Sequence, residues 1–175
     1  MTRAALGLGA NLGDARAALR HAVSLLAHHP GLAVVAVSGL WQTAAVGGPE
    51  QPDYLNAVVL VECSLPADEL LGVAHAIEQD AGRERLVRWG PRTLDVDLLA
   101  FGDVRSESPA LTLPHPRAHE RAFVILPWAQ VAPEWVLAPV SGERGRPVHE
   151  WARGLADVGL ADLGVQLVDE GAWWE

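Results

Sequence analysis

The chain has no lysine: all 13 of its Lys+Arg residues are arginine. That excludes a P-loop lysine on a nucleotide, a Schiff base and a lysine general base, so bound phosphate would have to be met by arginine, histidine, backbone amides or metal. There is a single cysteine, Cys63. It cannot form an internal disulfide, and it reads as a small buried apolar residue. No window reaches the about 18 apolar residues of a membrane span, so the sequence predicts a soluble, cytoplasmic protein that stays off membranes. A formal net charge of -9 argues against a nucleic-acid partner, which normally needs a basic face.

What basic charge exists is clustered. Arg83, Arg85, Arg88 and Arg92 fall within ten residues, and His115, Arg117, His119 and Arg121 within seven. With 175 residues, half of them hydrophobic, the chain suits one domain with a sizeable core.

Hydrophobic patterning predicts strands at residues 4–9, 32–41, 54–62 and 93–101. A helix follows the first strand to about Ala27, capped by Asn11 or Asp14, with Leu19, Val23 and Leu26 as its apolar stripe. A second helix, opened by Ser64 and Pro66, runs to near Gly82 with Leu70, Ala74, Ile77 and Ala81 inward. The order βαββαβ is that of the α/β (α+β) ferredoxin-like fold, two helices on one face of a mainly antiparallel sheet. Residues 121–131 and 147–156 read as helices, the latter inside a C-terminal helical extension over about 136–175, and the end at Trp173 and Trp174 reads as a tail docked on the core.

Asp95 and Asp97 are two apart on the fourth strand, so both carboxylates leave one face while Leu94, Val96 and Leu98 leave the other. An exposed polar strand face and a metal-binding pair both satisfy that pattern. The neighbouring arginines favour the second, since a hard divalent cation with arginines is what a polyphosphate needs. Magnesium is characteristically held by one or two carboxylates together with substrate phosphates. The arginine loop carries Trp89, which suits either closure over a planar phosphorylated ligand or a core anchor. Tyr54 and Asn56 share a strand face, where an aromatic and a carboxamide can receive a heteroaromatic ring; an ordinary half-buried strand fits as well. His115 and His119 are separated by Pro116, which speaks against a helical metal pair. Gly7, Gly9 and Gly13 are one residue too widely spaced for a dinucleotide fingerprint.

Four stretches, GANLGD at 9–14, PEQPDYLNAV at 49–58, RWGPRTLDVDLL at 88–99 and LPHPRAHERAFVILP at 113–127, closely resemble the 6-hydroxymethyl-7,8-dihydropterin pyrophosphokinase family of folate biosynthesis. The resemblance spans about residues 4–135 and fades past Val136. It implies a ferredoxin-like fold and transfer of the diphosphate of ATP to the hydroxymethyl oxygen of the pterin, releasing AMP. It further implies that Asp95 and Asp97 bind two Mg2+ ions on the ATP phosphates. Arg83, Arg85 and Arg92 match a catalytic loop, Arg83 and Arg92 in catalysis and Arg85 on ATP. Thr112, His115 and Arg121 match further ATP contacts. Thr43, Tyr54, Asn56, Trp89 and Phe123 match the pterin pocket, and Glu78 an acidic residue near the active centre.

Some members carry tyrosine where Pro116 stands, arginine where Ala110 stands and glutamine where His75 stands, so individual nucleotide contacts differ here. A ligand-binding ferredoxin-like module without catalysis would show no magnesium dependence and form no AMP. A pterin aldolase would not need ATP. The expected substrates are the small molecules ATP and the pterin, and the chain is expected to be a monomer with a single pyrophosphokinase domain over 1–175.

Overall fold

The computed structural model describes residues 1–45, 50–82 and 93–175. Strand β1 (Thr2–Ala10) leads through a turn into helix α1 (Ala15–His28). Of the two candidate caps Asp14 is the one used, its carboxylate accepting from the Ala17 amide at 2.9 Å. Asn11 instead donates to Gln51 Oε1 and to the Pro52 carbonyl, each at 2.9 Å. Leu19, Ala22, Val23 and Leu26 form the buried stripe of α1.

The single strand expected over 32–41 is in fact two, β2 (Leu32–Val37) and β3 (Leu40–Thr43), both antiparallel to β4 (Tyr54–Cys63). Val37 lies opposite Val59 and Trp41 opposite Asn56, so three residues (38–40) face two (57–58). That extra residue makes a bulge. Ser38 sustains it, its hydroxyl accepting from the Val58 amide and donating to the Gly39 carbonyl, both at 2.9 Å. Gly39 is required there, because a Cβ would stand 2.6 Å from the Asp169 carbonyl oxygen. The valine-rich run conceals this break, which depends on partners far away in the chain.

Helix α2 (Ala67–Asp80) starts after Pro66 with no side-chain cap; Asp68 and Glu69 in its first turn complement the helix dipole, and Ser64 donates elsewhere, to Gly31 O at 3.2 Å. Strand β5 (Asp95–Phe101) follows. With β1 between β4 and β5 and every pairing antiparallel, the lateral order is that of the split βαβ fold expected from the sequence.

Two short hairpins follow, β6 (Ser106–Ser108) with β7 (Leu111–Leu113), and β8 (Val136–Leu137) with β9 (Arg146–Pro147). Between them lie a 3-10 turn, Ala118–Glu120, and helix α3 (Ala122–Val131). Helix α4 (Val148–Ala156) lies in the extension, as expected. Not expected was β10 (Val165–Asp169), which adds to the free edge of β3.

The sheet is covered on both faces. Alternation sends Leu6, Leu8 and Ala10 of β1 toward the α1 and α2 side, with Leu19, Leu26, Leu70 and Ile77. Ala5, Val58, Leu60 and Leu99 meet Val124, Ile125 and Trp128 on the α3 side, beside Val148 of α4. Each fully buried leucine contributes about 1.5–3 kcal/mol. Among the described residues, no helix is long and apolar enough to cross a membrane.

Candidate active site

β1 and β5 shape the site. On the face opposite α1 and α2, β1 passes from Ala5, which packs under α3, to Gly7 and Gly9, which pair with Asp97 and Asp95 of β5. A Cβ at Gly7 would touch the Leu99 side chain at 3.3 Å, and one at Gly9 would sit 3.2 Å from Asn56 Oδ1. The glycines therefore leave open the floor of a cavity of about 630 Å³. Asp95 and Asp97 both line it, while Leu94, Val96 and Leu98 are buried under the helices, as strand alternation predicts. Glu78, 3% exposed, reaches from α2 and accepts from the Val96 amide at 2.9 Å, fastening the strand between the two aspartates.

Thr43, Tyr54, Asn56 and Phe123 line the same cavity. Asn56 is 5% exposed, and its amide donates to Thr43 Oγ1 at 3.0 Å and to the Trp41 carbonyl at 3.4 Å, so its orientation is fixed from behind. Gln51, also in the wall, accepts from the Tyr54 hydroxyl at 3.4 Å and from Asn11. Phe123 sits in the first turn of α3, with the Arg121 guanidinium 5.7 Å from its ring centre.

Of the expected nucleotide contacts, Arg121 lines the cavity. His115 is not among the lining residues; its amide donates to the Leu99 carbonyl at 2.8 Å. Burial pushes its pKa down; the Asp97 carboxylate opposes that, and Arg121 and Arg117 reinforce it. The neutral imidazole is therefore favoured. Thr112 is not brought to the cavity: it pairs with Glu107 in the hairpin and donates to the Ser108 carbonyl at 3.1 Å. Arg83, Arg85, Arg88, Trp89 and Arg92 lie outside the described residues.

The basic cluster at 115–121 divides. Arg117 and Arg121 line the cavity, whereas His119 is buried against Trp151, ring centres 5.3 Å apart, with Nε2 at 3.4 Å from Glu143 Oε1. Residues not anticipated also line the cavity: Gln51, Arg117, Glu120, Leu163 and Val165. Gln51 lies inside the PEQPDYLNAV stretch, where it could have been noticed; Leu163 and Val165 carry no sequence signal of a site.

Among the described residues, no group of three or more His, Cys, Asp or Glu side chains could enclose a metal ion. Two carboxylates on one strand face, open to a cavity, could instead hold a hard divalent cation of the kind that keeps waters and takes further ligands from a phosphate.

The family model for 7,8-dihydro-6-hydroxymethylpterin-pyrophosphokinase (HPPK) matches residues 5–133. A 2-amino-4-hydroxy-6-hydroxymethyldihydropteridine pyrophosphokinase of Synechocystis is 46% identical over 140 residues, covering 80% of this chain and 71% of the relative. One of Bacillus subtilis is 44% identical over 126 residues, covering 72% and 75%. A crystal structure of wild-type Plasmodium falciparum HPPK-DHPS superimposes with a TM-score of 0.64 at 14% identity over 91% of this chain. This chain spans only 42% of that solved chain, and the likeness concerns the fold. Fold, site and relatives define an enzyme of the diphosphokinase class. The chain belongs to the 7,8-dihydro-6-hydroxymethylpterin-pyrophosphokinase family.

Proposed function

We propose that the chain, acting as one domain, transfers the diphosphate of ATP to the hydroxymethyl oxygen of 6-hydroxymethyl-7,8-dihydropterin, a step of tetrahydrofolate biosynthesis. The hydroxymethyl oxygen attacks the β-phosphorus of ATP, the bond from that phosphorus to the α-phosphate oxygen breaks, and the products are the pterin diphosphate, AMP and the hydroxyl proton. The observation that carries this reading is one cavity lined both by a carboxylate pair and by an aromatic and amide set, Tyr54, Phe123, Asn56 and Thr43.

Asp95 and Asp97 would hold magnesium, two ions when ATP is bound, which supplies charge neutralisation on the phosphates. Tyr54 and Phe123 would flank the pterin ring, and Asn56 and Thr43 would read its edge. Arg121 and His115 would meet ATP, with Thr112 assigned there by resemblance alone. Arg83, Arg85, Arg92 and Trp89, in the sequence between α2 and β5, are assigned to the site by resemblance alone. Catalysis is then mainly positioning and electrostatic stabilisation. The same reading makes the protein a cytoplasmic monomer that acts on small molecules and binds neither nucleic acid nor membrane.

The test is mass detection of products from ATP and the hydroxymethyl-dihydropterin. Pterin diphosphate and AMP in equal amounts with magnesium, and neither with excess EDTA, is the expected result. No AMP in magnesium would remove the assignment.

A further inference from the structure

Leu163 and Val165 line the cavity from the C-terminal extension, beyond the residues 5–133 that carry the family match. Their placement is built. Val165 opens β10 and is registered opposite Thr43. The turn before it is closed by bonds from the Leu163 amide to Gly159 O and from the Val165 amide to Leu160 O, each 3.1 Å. Gly159 and Gly164 supply its positive φ values of 97° and 62°. The Ala44 amide then donates to Gly164 O at 3.2 Å, joining the turn to the strand that carries Thr43. Behind the wall, Leu163 and Val165 pack with Trp41, Ala122 and Leu126, and the Trp41 indole donates to Gln130 Oε1 at 3.0 Å.

Register locates this wall within the reaction. Asp95 faces Gly9, Gly9 faces Asn56, and two residues along β4 Tyr54 faces Thr43, which faces Val165. Neighbouring strands are about 4.8 Å apart, so β10 lies about 19 Å from β5 across the sheet, at the end remote from the carboxylates. What Leu163 and Val165 bound is the space beyond Tyr54 and Asn56. Both are apolar, so they can select by shape alone.

We infer that Leu163 and Val165 form the end wall of the acceptor compartment and set the size limit on the ring that the enzyme accepts, a planar nitrogen heterocycle bearing a hydroxymethyl group. This rests on the proposed reaction. A rigid apolar wall discriminates by about 10- to 200-fold per methylene.

The experiment uses the whole 175-residue chain, Leu163→Ala and Val165→Ala, with hydroxymethyl-dihydropterin and with analogues enlarged by a methyl or ethyl group at each ring position in turn. For at least one analogue, kcat/KM relative to the natural acceptor rises about tenfold or more in one variant. The KM for ATP stays within twofold. Leu163→Phe does the opposite, raising the KM for the natural acceptor. Relative kcat/KM values unchanged within twofold across the whole panel, in variants whose circular dichroism matches the parent, would overturn the inference while leaving the reaction intact. A parent protein that forms no pterin diphosphate overturns both, so the two failures are distinct.

Discussion

At Gly9 the absence of a side chain has a chemical purpose, because the space a Cβ would fill lies 3.2 Å from Asn56 Oδ1. Gly9→Ala is therefore expected to displace the Asn56 amide and raise the KM for the acceptor by about tenfold, a loss of about 1.4 kcal/mol, with kcat nearly unchanged. Steady-state kinetics in saturating ATP measures this, and an unaltered acceptor KM would show that Asn56 does not read the ring. The two aspartates were legible in the sequence because strand alternation is local: a residue two places on returns to the same face. The glycines were not, since G-x-G-x-x-x-G resembled a weak nucleotide fingerprint, and only the pairing of β1 with β5 shows that they form a floor. His119 was equally opaque. Its spacing grouped it with Arg117 and Arg121, and it is the distant Trp151 and Glu143 that draw it away from the cavity.

Among the elements, the strands and helices of the first hundred residues follow from periodicity, except for the break that divides β2 from β3, and the lateral order follows from the βαββαβ succession. β10 does not. Its burial alternates only because β3 offers a free edge some 120 residues earlier, so its identity is a long-range property. The tail beyond it was expected to dock, and it does. Trp173 is 2% exposed in the main core, its indole donates to the Ser38 carbonyl at 2.7 Å, and Arg20 Nε donates to the Trp173 carbonyl at 3.0 Å. Arg16 of α1 pairs with Asp169 at the end of β10. The tail thus braces the bulge at Ser38, next to the strand that carries Thr43. Trp173→Ala should cost about 3–5 kcal/mol, from lost burial and an orphaned carbonyl. Urea unfolding checks it, and a loss below about 1 kcal/mol would mean that the tail only rests on the surface.

Across the whole molecule, one face of the sheet builds the core with α1 and α2, and the other is divided between a second core under α3 and the open cavity. This division lets a single sheet serve as both scaffold and template. β5 brings Asp95 and Asp97 to the cavity, β1 its glycine floor, β4 Tyr54 and Asn56, β3 Thr43, and β10 Val165. The central claim is that the Asp95 and Asp97 face is where diphosphate transfer is supported. Asp97 is half-buried and points into the cavity, so Asp97→Ala removes a carboxylate without emptying core volume. The decisive measurement is the rate of pterin diphosphate formation by Asp97→Ala in saturating magnesium and ATP, alongside its thermal melting. The expected result is a fall in kcat of at least about a hundredfold with a melting temperature near the parent's. Full turnover by the folded variant would contradict the account.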